Sequence, residues 1–420
     1  MRTIERVTAM EILDSRGRPT VLAEVALSGG AAATASVPSG ASTGTAEALE
    51  LRDGDPSRYR GLGCRRAVAN VNSAIASALV GRAWVSQSAV DGAMLDLDGT
   101  SNKSKLGANA ILAVSIAYAR ACAKAEGRAL YEHFASMVGR SATTLPRLTI
   151  NLFSGGKHAG GQVPIQDVLI VPRAPTVDEG LAQAYAVYQA ASELVARKYQ
   201  MRILRADEGG LAPPAKSIEA MFDDAAESIR LAGLTPGRDV ALAIDVASSH
   251  FYHDQKYFVD PAGEASSAMI ARVKSWVDNY PIVSIEDGLS EEDWAHWPAL
   301  KSAIEHKALV LGDDFLCTNP ARIRRAIETK SANALLLKVN QIGTLTEAAE
   351  SLRLARSAGW RVTISARSGE TEDNWLADLA VGWGGDQIKI GSITQSERLS
   401  KYNRLLKIEA QTKLPVVNWP

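Results

Sequence analysis

Two rhythms of apolar and polar positions run along this chain. Near its start, residues 19–27 read Pro19-Thr20-Val21-Leu22-Ala23-Glu24-Val25-Ala26-Leu27, the near two-residue period of a strand with one covered face. A glycine-rich loop follows over 38–44, and then alanine-rich helical spacing over 65–79, 90–95 and 108–123. Strands followed by helices make an α+β texture. The polar stretch 139–144 precedes Leu145-Pro146 and predicts a link. An N-terminal α+β domain over 1–138 and a second domain over 139–420 are therefore expected. Past the link, short apolar runs close on or beside a polar residue at 240–245, 282–286, 309–313, 334–338, 360–366 and 387–389. Helical patterns at 267–277, 320–329 and 345–357 separate them, and from Glu286 onward the run ends recur at roughly 23 to 28 residues. That is the length of one strand–helix unit, so the expected fold class is α/β, a (β/α)₈ barrel carrying the α+β domain.

Composition narrows the possible chemistry. With 420 residues there is room for a barrel of about 250 residues and a second domain. A net charge of -1 gives no long-range attraction to nucleic acid or an anionic membrane, so neither is expected as a partner. Cys64, Cys122 and Cys317 lie far apart, which argues against a disulfide framework or zinc cluster and suits a reducing cytosol. The opening residues lack the apolar stretch of a signal peptide, and no run approaches the roughly 20 apolar residues of a membrane span. A cytoplasmic protein is expected.

The ends of the apolar runs carry the candidate chemistry. Asp245, Glu286 and Asp313 each close a strand-like run. A single acidic residue there is more often a helix cap. Three from neighbouring barrel strands would instead gather at one mouth, repelling one another unless a cation neutralises them. Oxygen ligands without thiolate or paired imidazole favour Mg²⁺. Lys338 closes the run Leu335-Leu336-Leu337, and Lys389 closes a later one. Either lysine alone reads equally well as a salt-bridged structural residue. Beside a metal and a second cation, Lys338 is expected to have a lowered pKa and to act as a base.

These residues sit in segments that resemble the enolase (phosphopyruvate hydratase) family. The carrying segments are Asp14-Ser15-Arg16-Gly17, Val37-Pro38-Ser39-Gly40-Ala41-Ser42-Thr43-Gly44, Asp207-Glu208-Gly209-Gly210, Ser284-Ile285-Glu286-Asp287-Gly288, Leu337-Lys338-Val339-Asn340-Gln341-Ile342-Gly343, Arg367-Ser368-Gly369-Glu370-Thr371-Glu372-Asp373 and Ser396-Glu397-Arg398. The resemblance spans essentially the whole chain. It implies an enolase-type barrel acting on a small phosphorylated carboxylic acid, with two Mg²⁺ per active site and a homodimeric assembly. Asp245, Glu286 and Asp313 would hold the first Mg²⁺, and Ser42, on a closing loop, would help hold the second. Lys338 would take the proton α to the carboxylate, and Glu208 would act as general acid on the β-hydroxyl. Lys389 would hold the carboxylate, Arg367 and Ser368 the phosphate, while His158 and Asp167 would line the substrate site.

The chain also departs from the family pattern. Where enolases read Ser-His-Arg-Ser-Gly-Glu-Thr, this chain has Ser365-Ala366-Arg367-Ser368-Gly369-Glu370-Thr371, so an imidazole is missing. No histidine follows His306 to replace it from a late strand. Asp167 stands where the family has Glu, and Ser154 and Ala206 stand where it has Asn and Gly. The Glu–Arg pair that often spans the dimer interface is absent, its positions being Leu22 and Lys407. Interconversion of 2-phosphoglycerate and phosphoenolpyruvate is the leading expectation. The alternatives are a diverged paralogue acting on a modified substrate, of the carboxyphosphonoenolpyruvate synthase type, and a non-catalytic binding protein of the same fold.

Overall fold

The computed structural model describes residues 2–40 and 44–420. Four strands, β1 (Arg2–Leu13), β2 (Pro19–Leu27), β3 (Ala32–Ser36) and β4 (Ala83–Trp84), form an antiparallel sheet ordered β3-β2-β1-β4. Val21, Ala23, Val25 and Leu27 of β2 are fully buried, as the alternation of that segment requires. They pack under helix Ala108–Ala125, whose alanines let helix and sheet approach closely.

The second body is a closed eight-stranded barrel. Its strands are β5 (Arg147–Ser154), β6 (Asp167–Pro172) and β7 (Val240–Asp245); then, after a small hairpin of β8 (Tyr252–His253) and β9 (Lys256–Tyr257), β10 (Ile282–Glu286), β11 (Leu309–Gly312), β12 (Ala334–Leu337), β13 (Arg361–Ser365) and β14 (Gln387–Gly391). One feature differs from the regular (β/α)₈ expectation. Strand β6 runs antiparallel to both β5 and β7, while the other neighbours are parallel. The reason lies in the connection: only twelve residues, with a single turn of 3₁₀ helix, join β5 to β6. Twelve residues is the shortest length at which a parallel crossover is made, usually through an α-helix, and this connection carries none.

The two-residue strand period decides which side chains enter the barrel. On β7, Val240, Leu242 and Ile244 join the main core, whereas Ala241 and Ala243 belong to a separate small cluster with Leu169 and Val171. Leu311, Ala334 and Leu336 form another such cluster. Continuing each inward series past the last apolar residue reaches Asp245, Asp313 and Lys338. The interior is packed with side chains, and in barrels of this kind the chemistry sits at the mouth where the strands end.

Candidate active site

At the C-terminal mouth, one narrow cavity is lined by His158, Glu208, Asp245, His250, Asp313, Lys338, Ala366, Arg367, Ser368 and Lys389, among others. Asp245, Glu286 and Asp313 sit on adjacent strands, with Glu286 in register with Asp245. Their ligand oxygens do not all lie within 4.8 Å of one another. Lysine ammonium groups stand among them instead. Lys389 Nζ donates to Asp245 Oδ2 at 2.8 Å and to both Glu286 oxygens at 2.8 and 2.7 Å. Lys338 Nζ donates to Asp313 Oδ2 at 2.5 Å. Gln166 and Gln341 add amide donors to Asp245 and Asp313 at 2.9 and 2.8 Å.

The electrostatics follow from this crowding. Burial pushes Asp245 up, but Lys389 overcomes it and holds the carboxyl at about 2. Burial and the adjacent Asp245 charge hold Glu286 well above the usual carboxylate range, despite Lys389. The sequence expectation of a lowered Lys338 pKa supposes a bound metal ion beside the lysine. Among the protein's own groups, burial favours loss of its proton, yet Asp313 and Glu286 together offset burial and raise its pKa. In this state Lys338 is a cation, and its base form requires the Asp313 pair to open.

The donor set fits a hard divalent cation. Three buried carboxylates, with no thiolate or imidazole bonded to them, face only two ammonium groups, Lys338 and Lys389. Ser42 lies outside the described residues.

A second group sits across the cavity. His158 Nδ1 lies 2.7 Å from Asp167 Oδ2, and its Nε2 lies 3.7 Å from Glu208 Oε1. Ligand-type atoms of His158, Asp167 and Glu208 come within 4.8 Å of one another. Burial lowers the imidazole pKa, but Asp167 and Glu208 more than offset this and raise it to about 9. Burial also raises Glu208, yet His158, Arg398 and the lysines bring it below its ordinary value. Of the two, His158 is biased toward its protonated form and Glu208 toward its charged form.

Arg367 makes a two-pronged ion pair with Glu47, at 2.9 and 3.2 Å, and donates to Asn340 Oδ1 at 3.2 Å. Ser368 Oγ accepts from Arg16 at 3.2 Å, and Arg398 ties the carbonyls of Arg367 and Ser368 to the barrel end. Ala366 follows β13, lines the cavity and is nearly buried.

Sequence reasoning missed several participants. Glu47 lies in the conspicuous glycine-loop region, but nothing local paired it with a residue 320 positions away. Asp287 accepts the backbone N–H groups of Asp313 and Asp314 at 2.8 Å each, and its place beside Glu286 was the available signal. His250 enters the cavity from the turn after β7, away from the late strands on which the family pattern has its imidazole.

Comparison with known proteins places the chain in a family. Residues 142–415 match the family model described as enolase, C-terminal TIM barrel domain, and residues 4–134 match the enolase N-terminal domain model. The chain is 48% identical over 411 residues to a protein named Enolase 1 from Methylococcus capsulatus, covering 97% of each chain. It is likewise 48% identical over 414 residues to one named Enolase from Desulfotalea psychrophila, again over 97% of each. Near-full-length identity of this order, with both domain models matched in order, shows that the chain belongs to the enolase family.

Proposed function

We propose that this protein is an enolase-type lyase that interconverts 2-phosphoglycerate and phosphoenolpyruvate through an enolate. The observation that best supports the reading is the gathering, at one barrel mouth, of two buried lysines, an imidazole–carboxylate pair, an arginine and three carboxylates. Lys389 holds the substrate carboxylate, and Arg367 with Ser368 holds the phosphate, a planar guanidinium suiting that anion. Lys338 accepts the α-proton once its pair with Asp313 opens, because burial and the nearby Arg367 and Lys389 charges then all oppose its protonated form. On the other side, the C–O bond of the β-hydroxyl breaks as a proton from His158, relayed by Glu208, completes a water molecule. Asp245, Glu286 and Asp313 are the residues that would hold Mg²⁺. When bound there, Mg²⁺ supplies positive charge that polarises the carboxylate and stabilises the enolate. A second Mg²⁺ near Ser42, a homodimeric assembly and a cytoplasmic location belong to the same reading. Exposed Met10 and Leu13 on β1 offer apolar area to a partner copy, and no helix among the described residues is long and apolar enough to cross a membrane.

A second reading rests on Ala366, an alanine lining the cavity where the family pattern has histidine. On that reading the same enolate chemistry acts on a substrate with a bulkier substituent. A direct assay of phosphoenolpyruvate formation from 2-phosphoglycerate, with Mg²⁺ titrated, separates the two. Mg²⁺-dependent turnover supports the first. Binding of Mg²⁺ and phosphoenolpyruvate without turnover supports the second, and absence of both overturns the enzyme reading.

A further inference from the structure

Two of the positions at which this chain departs from the enolase pattern, Ser154 and Asp167, touch each other. They stand directly opposite on the antiparallel pair β5–β6. Their side chains therefore leave the sheet on the same face, with Cβ atoms about 4.5–5.5 Å apart. Ser154 Oγ donates to Asp167 Oδ1 at 2.6 Å, and Asp167 Oδ2 meets His158 Nδ1 at 2.7 Å. Both Ser154 and Asp167 are fully buried. On the far side of the ring, His158 Nε2 faces Glu208 Oε1, while Asn151 Nδ2 holds the other Glu208 oxygen at 3.0 Å.

The aspartate cannot turn without losing a partner, because each of its oxygens has its own donor. Space is equally restricted on the serine side. A Cβ on Gly210 would stand 2.7 Å from Ser154 Oγ, so the segment carrying Glu208 lies directly over the hydroxyl. A longer side chain at 154 would push that segment away. A glutamate at 167 would carry its carboxylate about 1.5 Å further out, past the hydroxyl and into the imidazole. Each short residue thus fits the other.

We propose that Ser154 is a positioning residue for the reaction, forming with Asp167 a coupled pair that fixes His158 against Glu208. The proposal rests on the reading above in which His158 and Glu208 serve the leaving hydroxyl. The two departures are then a single adjustment: the shorter carboxylate works because a short hydroxyl stands beside it.

A substitution cycle on the full-length protein with Mg²⁺ tests this, using Ser154→Ala, Asp167→Glu and the two combined. The readouts are kcat and KM for 2-phosphoglycerate, and the downfield proton resonance of His158 Nδ1–H without substrate, assigned by its loss in His158→Gln. Ser154→Ala is expected to lower kcat about tenfold, as loss of a hydrogen bond to a charged group does, with KM within about twofold. It should also shift or broaden the His158 resonance. Asp167→Glu is expected to cost about as much alone, and less than about threefold when Ala already occupies 154. Effects that simply multiply, or a His158 resonance unmoved by Ser154→Ala, overturn the proposal. Should Ser154→Ala not fold, Ser154→Cys keeps the size, weakens the donor and carries the same expectation. The resonance is read without substrate, so the two claims fail separately. A protein without hydratase turnover whose His158 resonance depends on Ser154 overturns the proposed function and supports the pair.

Discussion

Replacing Lys389 by methionine removes the cation that holds two carboxylates together while keeping most of the side-chain volume. Lys389 makes three charge-assisted hydrogen bonds of 2.7–2.8 Å to Asp245 and Glu286, both nearly inaccessible to water. Removing one partner of a buried ion pair typically costs about 3–5 kcal/mol, because the remaining charge stays buried and unmet. Unfolding entropy of about 2.1 cal/mol/K per residue makes each kcal/mol worth roughly one degree in a chain of this length. Lys389→Met should therefore melt about 3–6 °C below the parent in the absence of divalent ions. Millimolar Mg²⁺ binds only the folded arrangement and should restore more stability to the variant than it adds to the parent, since it no longer competes with an ammonium group. Adding Asp245→Asn should remove most of that gain. Differential scanning fluorimetry of the three proteins, with and without Mg²⁺, measures all of this. A Lys389→Met protein that melts with the parent in the absence of Mg²⁺ would refute the electrostatic argument. Melting indifferent to Mg²⁺ in every variant would refute the assignment of the metal ligands.

Lys338→Ala should abolish exchange of the substrate α-proton with solvent deuterium while Mg²⁺ still raises the melting temperature; exchange at the parent rate would mean that another group is the base. Ala366→His, which returns an imidazole to the cavity wall, should raise turnover of 2-phosphoglycerate by about tenfold or more, and an unchanged or lower rate would show that this position does not tune the reaction. Asp91 is fully buried, accepts from Gln87, from the backbone N–H and from the hydroxyl of Thr346, and is pushed by burial to about 6. Its folded form thus holds a proton that the unfolded chain has released between about pH 4 and 6, so its contribution to stability is greatest below that window and falls as pH rises through it. The melting difference between the parent and Asp91→Asn should accordingly move against the parent between pH 4 and 6 and stay flat above 7, and a difference constant across this range would contradict the assignment.

The elements that local pattern specifies were legible in the chain. The runs 240–245 and 282–286 are strands β7 and β10 with those bounds, the alternating 19–27 is β2, and 345–357 is a helix whose first turn is capped by Thr344. Strand β1 and helix Val177–Tyr199 were not anticipated. Much of β1 is exposed, so its apolar pattern is weak, whereas the helix buries Val177, Ala184, Val187, Tyr188, Ala191 and Val195 at helical spacing, a signal the chain did carry. Strand periodicity also located Asp245, Asp313 and Lys338 at the barrel mouth, because inward and outward positions alternate whatever the partners are.

What the sequence by itself determined, then, is which residues stand at strand ends and which face of each strand is apolar. These are properties of a few consecutive residues. Only the tertiary structure decided the pairings: Lys389 with Asp245 across 144 positions, Arg367 with Glu47 across 320, and Ser154 with Asp167 through a reversal of strand direction. It also set the direction in which burial and neighbouring charges bias each group, upward for Lys338 beside Asp313 and for His158 beside Asp167 and Glu208, downward for Glu208. The physical reason is that a pKa or a hydrogen bond depends on distances of a few ångströms and on exclusion of water. Both are set where strands far apart in the chain close into one barrel.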